Sequence, residues 1–314
     1  MAAVSAGVIV PDMTLSRRKA NLLLMTAAAI WGFAFVAQRV GMRHVQPFTF
    51  NATRFLIGTL VLLPLLPRSG RRPAGTPIAG RGETVRAGAL TGLVLFTAAT
   101  LQQYGIVHTT AGKAGFITSL YVVFVPLLGL VFGQRVSRYA WAGVGLAVIG
   151  LYLLSARGIL DIAPGDGLVL LCAVFWAVHV QLIGAQVRRV PALRLAVGQF
   201  ATAAVLSTAA ALVFDPFSWP ALRAITWPLL YAGVFSVGIA FTLQVAVQKS
   251  ARPTDTAIIL SFESVFAAIG GGLLLGERLG LRELTGCVMI LGGVVVAQRG
   301  PAGAPVIPPA PPAG

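Results

Sequence analysis

The chain of 314 residues is 57% hydrophobic and only 11% charged, with a mean hydropathy of +0.85. Soluble proteins carry about 25% charged residues, so this composition excludes an ordinary water-soluble domain and points to a polytopic membrane protein. The formal net charge of +15 does not argue for nucleic acid, because the cations sit in short gaps between apolar runs and not on one face with interleaved aromatics.

Ten apolar runs, each long enough for a hydrocarbon layer of about 30 Å, predict an all-α membrane protein with ten transmembrane helices. No run alternates apolar with polar residues, which excludes a β-barrel. A cytoplasmic tail, 1–19, leads into the first run, 20–38. That run could pass for a signal peptide, but a cut after Ala37 would place Phe35 where a small residue is needed, so it is read as a membrane helix. It carries Trp31 at midplane depth. The second run, 48–66, carries Arg54 on one face with Asn51 and Gly58. The third, 86–107, carries Gln103, and the fourth, 113–132, carries Tyr121. The fifth, 138–155, is followed by a linker at 156–165.

In the second half, the run 166–187 places Trp176 and His179 at midplane depth, on a face with Cys172. The runs 193–214 and 226–248 carry Gln199, and Ser236 with Gln244. The ninth, 254–276, is apolar except for Glu263, and the tenth is 282–298. A Pro- and Ala-rich tail, 300–314, has no periodic pattern. The two cysteines, Cys172 and Cys287, both lie inside apolar runs, which gives neither a disulfide framework nor metal-ligand spacing.

Lys and Arg fix the orientation. With the N-terminus taken as cytoplasmic, sixteen fall in inner segments and seven in outer ones, with Arg54 inside a run. The positive-inside rule then places both termini in the cytoplasm, and a Cys at Ser69 would be shielded from an impermeant reagent outside.

The chain is written twice. The stretch from Leu101 parallels the stretch from Leu243, so that Gly143 and Gly150 match Gly286 and Gly293. Trp31 pairs with Trp176, and Arg54-Phe55 with Gln199-Phe200. Two halves, 20–155 and 166–299, hold five helices each. An odd number starts the second half from the opposite side, giving inverted repeats, a recurring transporter architecture with its substrate site near the midplane.

The stretches "WGFAFVAQRVG", "PFTFNATRF", "GKAGFITSLYVVFVPLL" and "ESVFAAIGGGLLLGERL" resemble the EamA family of the drug/metabolite transporter superfamily over about residues 20–299. The resemblance implies ten helices, a bacterial inner-membrane location, and movement of small metabolites such as amino-acid-like or drug-like compounds, often outward. The family usually reads Glu-Pro in the ninth helix. Here Glu263 is followed by Ser264, which removes the expected proline kink.

A charge at the centre of a membrane helix costs about 2.5–3.5 kcal/mol, so Glu263 should face a polar cavity. There it could bind a substrate amine or cycle a proton; the plainer reading is a buried bond to His179 or Arg54. Arg54 suits an anionic group, or it snorkels or locks a helix pair. His179 would be a proton relay or an interhelical hydrogen-bonder. Trp31 and Trp176 would form cavity walls or repeat packing. Gln103 and Gln199, with Gln244, would line a wet path or bond between helices, and Tyr121 and Ser236 share the midplane level.

No zinc motif or Walker A sequence occurs, so no cofactor, no metal, no ATP and no enzyme are expected. The "PGDG" around Asp166 is read as a turn capping the sixth helix. The lipid bilayer and a small-molecule substrate are the expected partners. A proton, substrate exchange or the substrate's own gradient could drive transport, and a scaffold or channel is the alternative.

Overall fold

The computed structural model describes residues 15–69, 79–109, 111–155, 164–276 and 280–300. The tails 1–14 and 301–314, most of the expected linker, and Arg71, Arg72, Arg157, Glu277 and Arg278 lie outside the described residues. The described part is helical, with no strand. Lipid cannot hydrogen-bond a bare backbone, so long apolar runs close their bonds within the segment.

Among the described residues, eight segments are long and apolar enough to cross a membrane: Arg17–Gly41, Pro47–Pro67, Arg81–Val107, Ala111–Val131, Asp166–Gln186, Ala192–Phe214, Thr226–Gln248 and Pro253–Leu274. Two more apolar helices, Arg138–Leu153 and Leu284–Gln298, are shorter. They stand where the fifth and tenth spans are expected. The helices α1 (Arg17–Gly41), α2 (Pro47–Leu62) and α3 (Arg81–Val107) run unbroken. Arg81 therefore sits in the first turn of a helix, five residues before the expected start.

The fourth span is two helices, α4 (Ala111–Ser119) and α5 (Tyr121–Val131), with a break at Leu120. After α6 (Arg138–Ser155), α7 (Asp166–Gln186) and α8 (Ala192–Phe214) come the short α9 (Trp219–Ala224) and α10 (Thr226–Leu230). The eighth span then widens into a π-helical stretch, Tyr231–Phe241, before α11 (Thr242–Gln248). The ninth span breaks too. It comprises α12 (Pro253–Leu260) and α13 (Glu263–Leu275), and α14 (Leu281–Gln298) follows.

The ninth span breaks between Leu260 and Glu263 although no proline follows Glu263. At the turn, the Ser261 hydroxyl donates to the Ile258 carbonyl at 2.8 Å, and the Ser264 hydroxyl to the Ser261 carbonyl at 2.7 Å. Serine hydroxyls that bond back to the main chain compete with the helical ladder. Ser264, read as a missing kink residue, supports one.

Helices in lipid associate through close packing, which small residues permit. A Cβ on Gly143 would lie 2.7 Å from the Gly293 carbonyl oxygen, and one on Gly150 would lie 2.6 Å from that of Gly286. These contacts lock α6 against α14 in antiparallel register. Gly32 lets α1 cross α13 beside the Glu263 carbonyl, and Gly88 meets Gly198 between α3 and α8.

Polar ties close the ends of the bundle. At the end holding the α1–α2 connection, Asp215 accepts from the Thr49 amide at 2.7 Å and its hydroxyl at 3.0 Å. Asp166 pairs with Lys113 and accepts from the Thr109 hydroxyl at 2.9 Å. It is the first residue of α7 and not its expected cap: Gly165 holds the cap position without a side-chain bond, and the Asp166 carboxylate reaches across to the first half. At the other end, Gln134 donates to Gln181 at 2.8 Å, and Gln181 to the Val125 carbonyl at 2.7 Å. Gln248 donates to the Val180 carbonyl at 2.8 Å.

Candidate functional site

A cavity with about 490 Å³ of atom-free space, part of it open to the outside, lies between the spans. Seven of the ten candidates line it: Trp31, Arg54, Tyr121, Trp176, Ser236, Gln244 and Glu263. Gln103, His179 and Gln199 do not. His179 and Gln199 are fully buried and hydrogen-bond each other at 2.9 Å, so His179 is an interhelical hydrogen-bonder, and the alternative bond from Glu263 to it is not formed. Gln103 is fully buried outside the cavity, and both its amide atoms lack a hydrogen-bond partner. Its neighbour Gln102 faces the cavity and donates to the Thr118 hydroxyl at 3.1 Å.

Sequence reasoning had signals for several lining residues it missed. Phe35 and Gln38 follow Trp31 by four and seven residues, and Val180 follows Trp176 by four, so each shares its helical face. The register that pairs Leu101 with Leu243 pairs Gln102, not Gln103, with Gln244. Phe241 had no such signal, because it ends the π-helical stretch, where a 3.6-residue period fails.

The walls are aromatic. Trp31 and Phe241 stand 4.6 Å apart between ring centroids, and Trp176 stacks on Phe241 at 5.7 Å and 26°. The Trp31 indole N–H donates to the Ser236 carbonyl at 3.2 Å. This bond uses the backbone of Ser236 and ties α1 to the π-helical wall. The Trp176 N–H has no hydrogen-bond partner.

Among the described residues, two charged side chains, Arg54 and Glu263, face this space. Arg54 is 3% exposed, with its guanidinium 4.9 Å from the Phe55 ring and 5.7 Å from that of Phe50. It is buried, so it does not snorkel, and its Nε has no hydrogen-bond partner. Glu263 is 4% exposed, and the Ser119 and Tyr121 hydroxyls lie beside its carboxyl. Even so, Glu263 Oε1 and both hydroxyls lack a well-formed hydrogen bond. The ion pairs of the described residues include Lys113–Asp166, Arg189–Glu83 and Arg252–Asp255, and Arg54 and Glu263 are not paired with each other. A buried charge without a partner is costly, and a ligand carrying both signs would supply both partners. Among the described residues, no cluster of three His, Cys, Asp or Glu side chains could hold a metal.

The model of the EamA-like transporter family matches the chain twice, over residues 18–156 and 163–298. An uncharacterized transporter of Archaeoglobus fulgidus is 32% identical over 283 residues, covering 90% of this chain and 86% of that one. A probable amino-acid metabolite efflux pump of Salmonella typhimurium is 32% identical over 165 residues, about half of each chain. A solved crystal structure superposes with a TM-score of 0.73 at 22% identity, over 90% of this chain and 97% of that one, so the fold is shared.

Proposed function

The chain belongs to the EamA-like transporter family, and from that premise we propose that it is a secondary carrier exporting amino-acid-like metabolites across the cytoplasmic membrane. In this reading ten helices form two inverted five-helix repeats that rock about the central cavity. The antiparallel contacts of Gly143 with Gly293 and of Gly150 with Gly286 support that arrangement, because each contact is the repeat-related mate of the other. The excess of Lys and Arg in the inner segments supports cytoplasmic termini.

The observation that carries the substrate class is the pair of buried, mutually unpaired charges in one aromatic-walled cavity. Arg54 receives a carboxylate, which guanidinium geometry suits. Glu263 receives a cation or, between substrates, a proton. The relative described as an amino-acid metabolite efflux pump points the same way. Trp31, Trp176 and Phe241 hold the apolar part of the substrate, while Tyr121, Gln244 and the Ser236 backbone complete the polar lining.

The test compares small molecules inside and outside cells expressing wild type or Glu263→Gln at matched membrane levels. Wild type should redistribute amino-acid-like compounds, and the variant should lose at least nine-tenths of that gradient. A gradient retained by the variant would make Glu263 structural. No redistribution by wild type would favour a scaffold.

A further inference from the structure

Tyr121 and Glu263 occupy equivalent places in the two halves. The register that pairs Leu101 with Leu243 pairs Ser119 with Ser261 and Tyr121 with Glu263. Each of the two is the first residue of a helix that restarts after a break, α5 in one case and α13 in the other. Their side chains meet. Groups exchanged by a two-fold operation touch only close to its axis. The contact therefore marks where the two halves face each other, at the crossing of the two interrupted spans.

Acceptors outnumber donors among the unpartnered atoms of the lining. Among the lining residues, the buried atoms without a hydrogen-bond partner include oxygens of Gln38, Tyr121, Gln244 and Glu263, against the N–H groups of Arg54 and Trp176. Among the described residues, Glu263 is the one carboxylate in the lining. Buried acceptors left unpaired are costly, so the cavity favours a cation that brings N–H donors with its charge. A fully methylated ammonium would find the faces of Trp31, Trp176 and Phe241 attractive but would bring no N–H donor to those oxygens.

We propose that Glu263 and Tyr121, meeting where the breaks of the fourth and ninth spans cross, seat a primary ammonium group of the substrate. Tyr121 is the residue that sets the preference for an N–H-bearing cation over a methylated one. The proposal rests on the carrier reading and adds the orientation of the substrate: ammonium at the crossing, carboxylate toward Arg54. A site built to hydrogen-bond a group rejects the analogue lacking it far more strongly than an apolar pocket rejects an extra methyl.

The experiment uses the purified full chain in lipid nanodiscs and three probes: phenethylamine, its N,N,N-trimethyl analogue and 3-phenylpropionate. Binding is read from the ligand-induced rise in Tm across a concentration series. In parallel, proteoliposomes are assayed for counterflow of L-phenylalanine. Phenethylamine should bind at least tenfold tighter than the trimethyl analogue. Tyr121→Phe should shrink that preference below threefold while its ligand-free Tm stays within a few degrees of wild type. Equal or tighter binding of the trimethyl analogue, or an unchanged preference in Tyr121→Phe, overturns the seat. If counterflow is intact while 3-phenylpropionate binds as well as the amine, the seat is wrong and the carrier reading stands. If no probe shifts Tm and no counterflow occurs, the carrier reading fails and the seat with it.

Discussion

The two halves keep the same scaffold and divide the chemistry between them. Gly143 and Gly150 have their matches in Gly286 and Gly293, and both copies break one helix at the same register. The functional side chains do not repeat. Glu263 stands where the first half has Tyr121, and Arg54 stands where the second half has Gln199. Arg54 faces the cavity, whereas Gln199 is tied to His179 outside it. Lys113 and Asp255 also share a register position. Lys113 pairs across the halves with Asp166, but Asp255 pairs with Arg252 one turn away on its own helix. Backbone approach is retained in both copies because both need it, while a polar side chain serves only where its copy happens to face.

The largest effect should come from breaking what the halves share. Gly150→Leu forces a branched side chain against the Gly286 backbone, and overpacking of this kind costs about 1–3 kcal/mol or more. Gly286→Leu should do the same from the other side. Both should reduce the yield of monodisperse protein on gel filtration at least fivefold, whereas Gly145→Leu, whose Cβ would meet open space, should not.

A smaller effect separates the two register-matched charges. Asp166→Asn removes an ion pair and weakens the bond to Thr109, costing about 1–3 kcal/mol. Asp255→Asn removes a pair within one helix, worth about 0.2–0.5 kcal/mol. Thermal unfolding in detergent should show a clear drop in Tm for the first and almost none for the second. Equal drops would mean that Lys113 does not link the halves.

The smallest effect sharpens the neighbouring glutamines. Gln102→Leu should reduce transport severalfold, because it loses a cavity-facing amide and its bond to Thr118. Gln103→Leu should leave transport within twofold of wild type, since its amide makes no hydrogen bond to lose. Transport assays at matched expression distinguish the two.

Much of the site was legible in the sequence because a polar residue in an apolar run is conspicuous, and its depth follows from counting. That reasoning singled out Glu263, Arg54, Tyr121 and both tryptophans, and all of them line the cavity. It chose Gln103 over Gln102 because adjacent residues differ by about 100° around a helix, and hydropathy cannot orient two polar neighbours. It left His179 undecided because a buried imidazole bonded to an amide and one facing a carboxyl look alike in sequence. The break before Glu263 was hidden for a different reason. Its signal is a pair of serines, which also occur in unbroken helices, and not the proline that would announce it.

The glycine contacts between α6 and α14 also set an order of events at the ribosome. Gly150 meets Gly286, and Gly143 meets Gly293, so α6 finds its partner only when the last helix of the chain emerges. At about 5–20 residues per second, that wait is on the order of ten to thirty seconds. Over this interval the helices of the first half carry one glycine-lined face that its partner has not yet covered. Asp215 likewise reaches Thr49 long after α2 has been made. A nascent first half is therefore an unfinished surface, and the final helix closes the molecule.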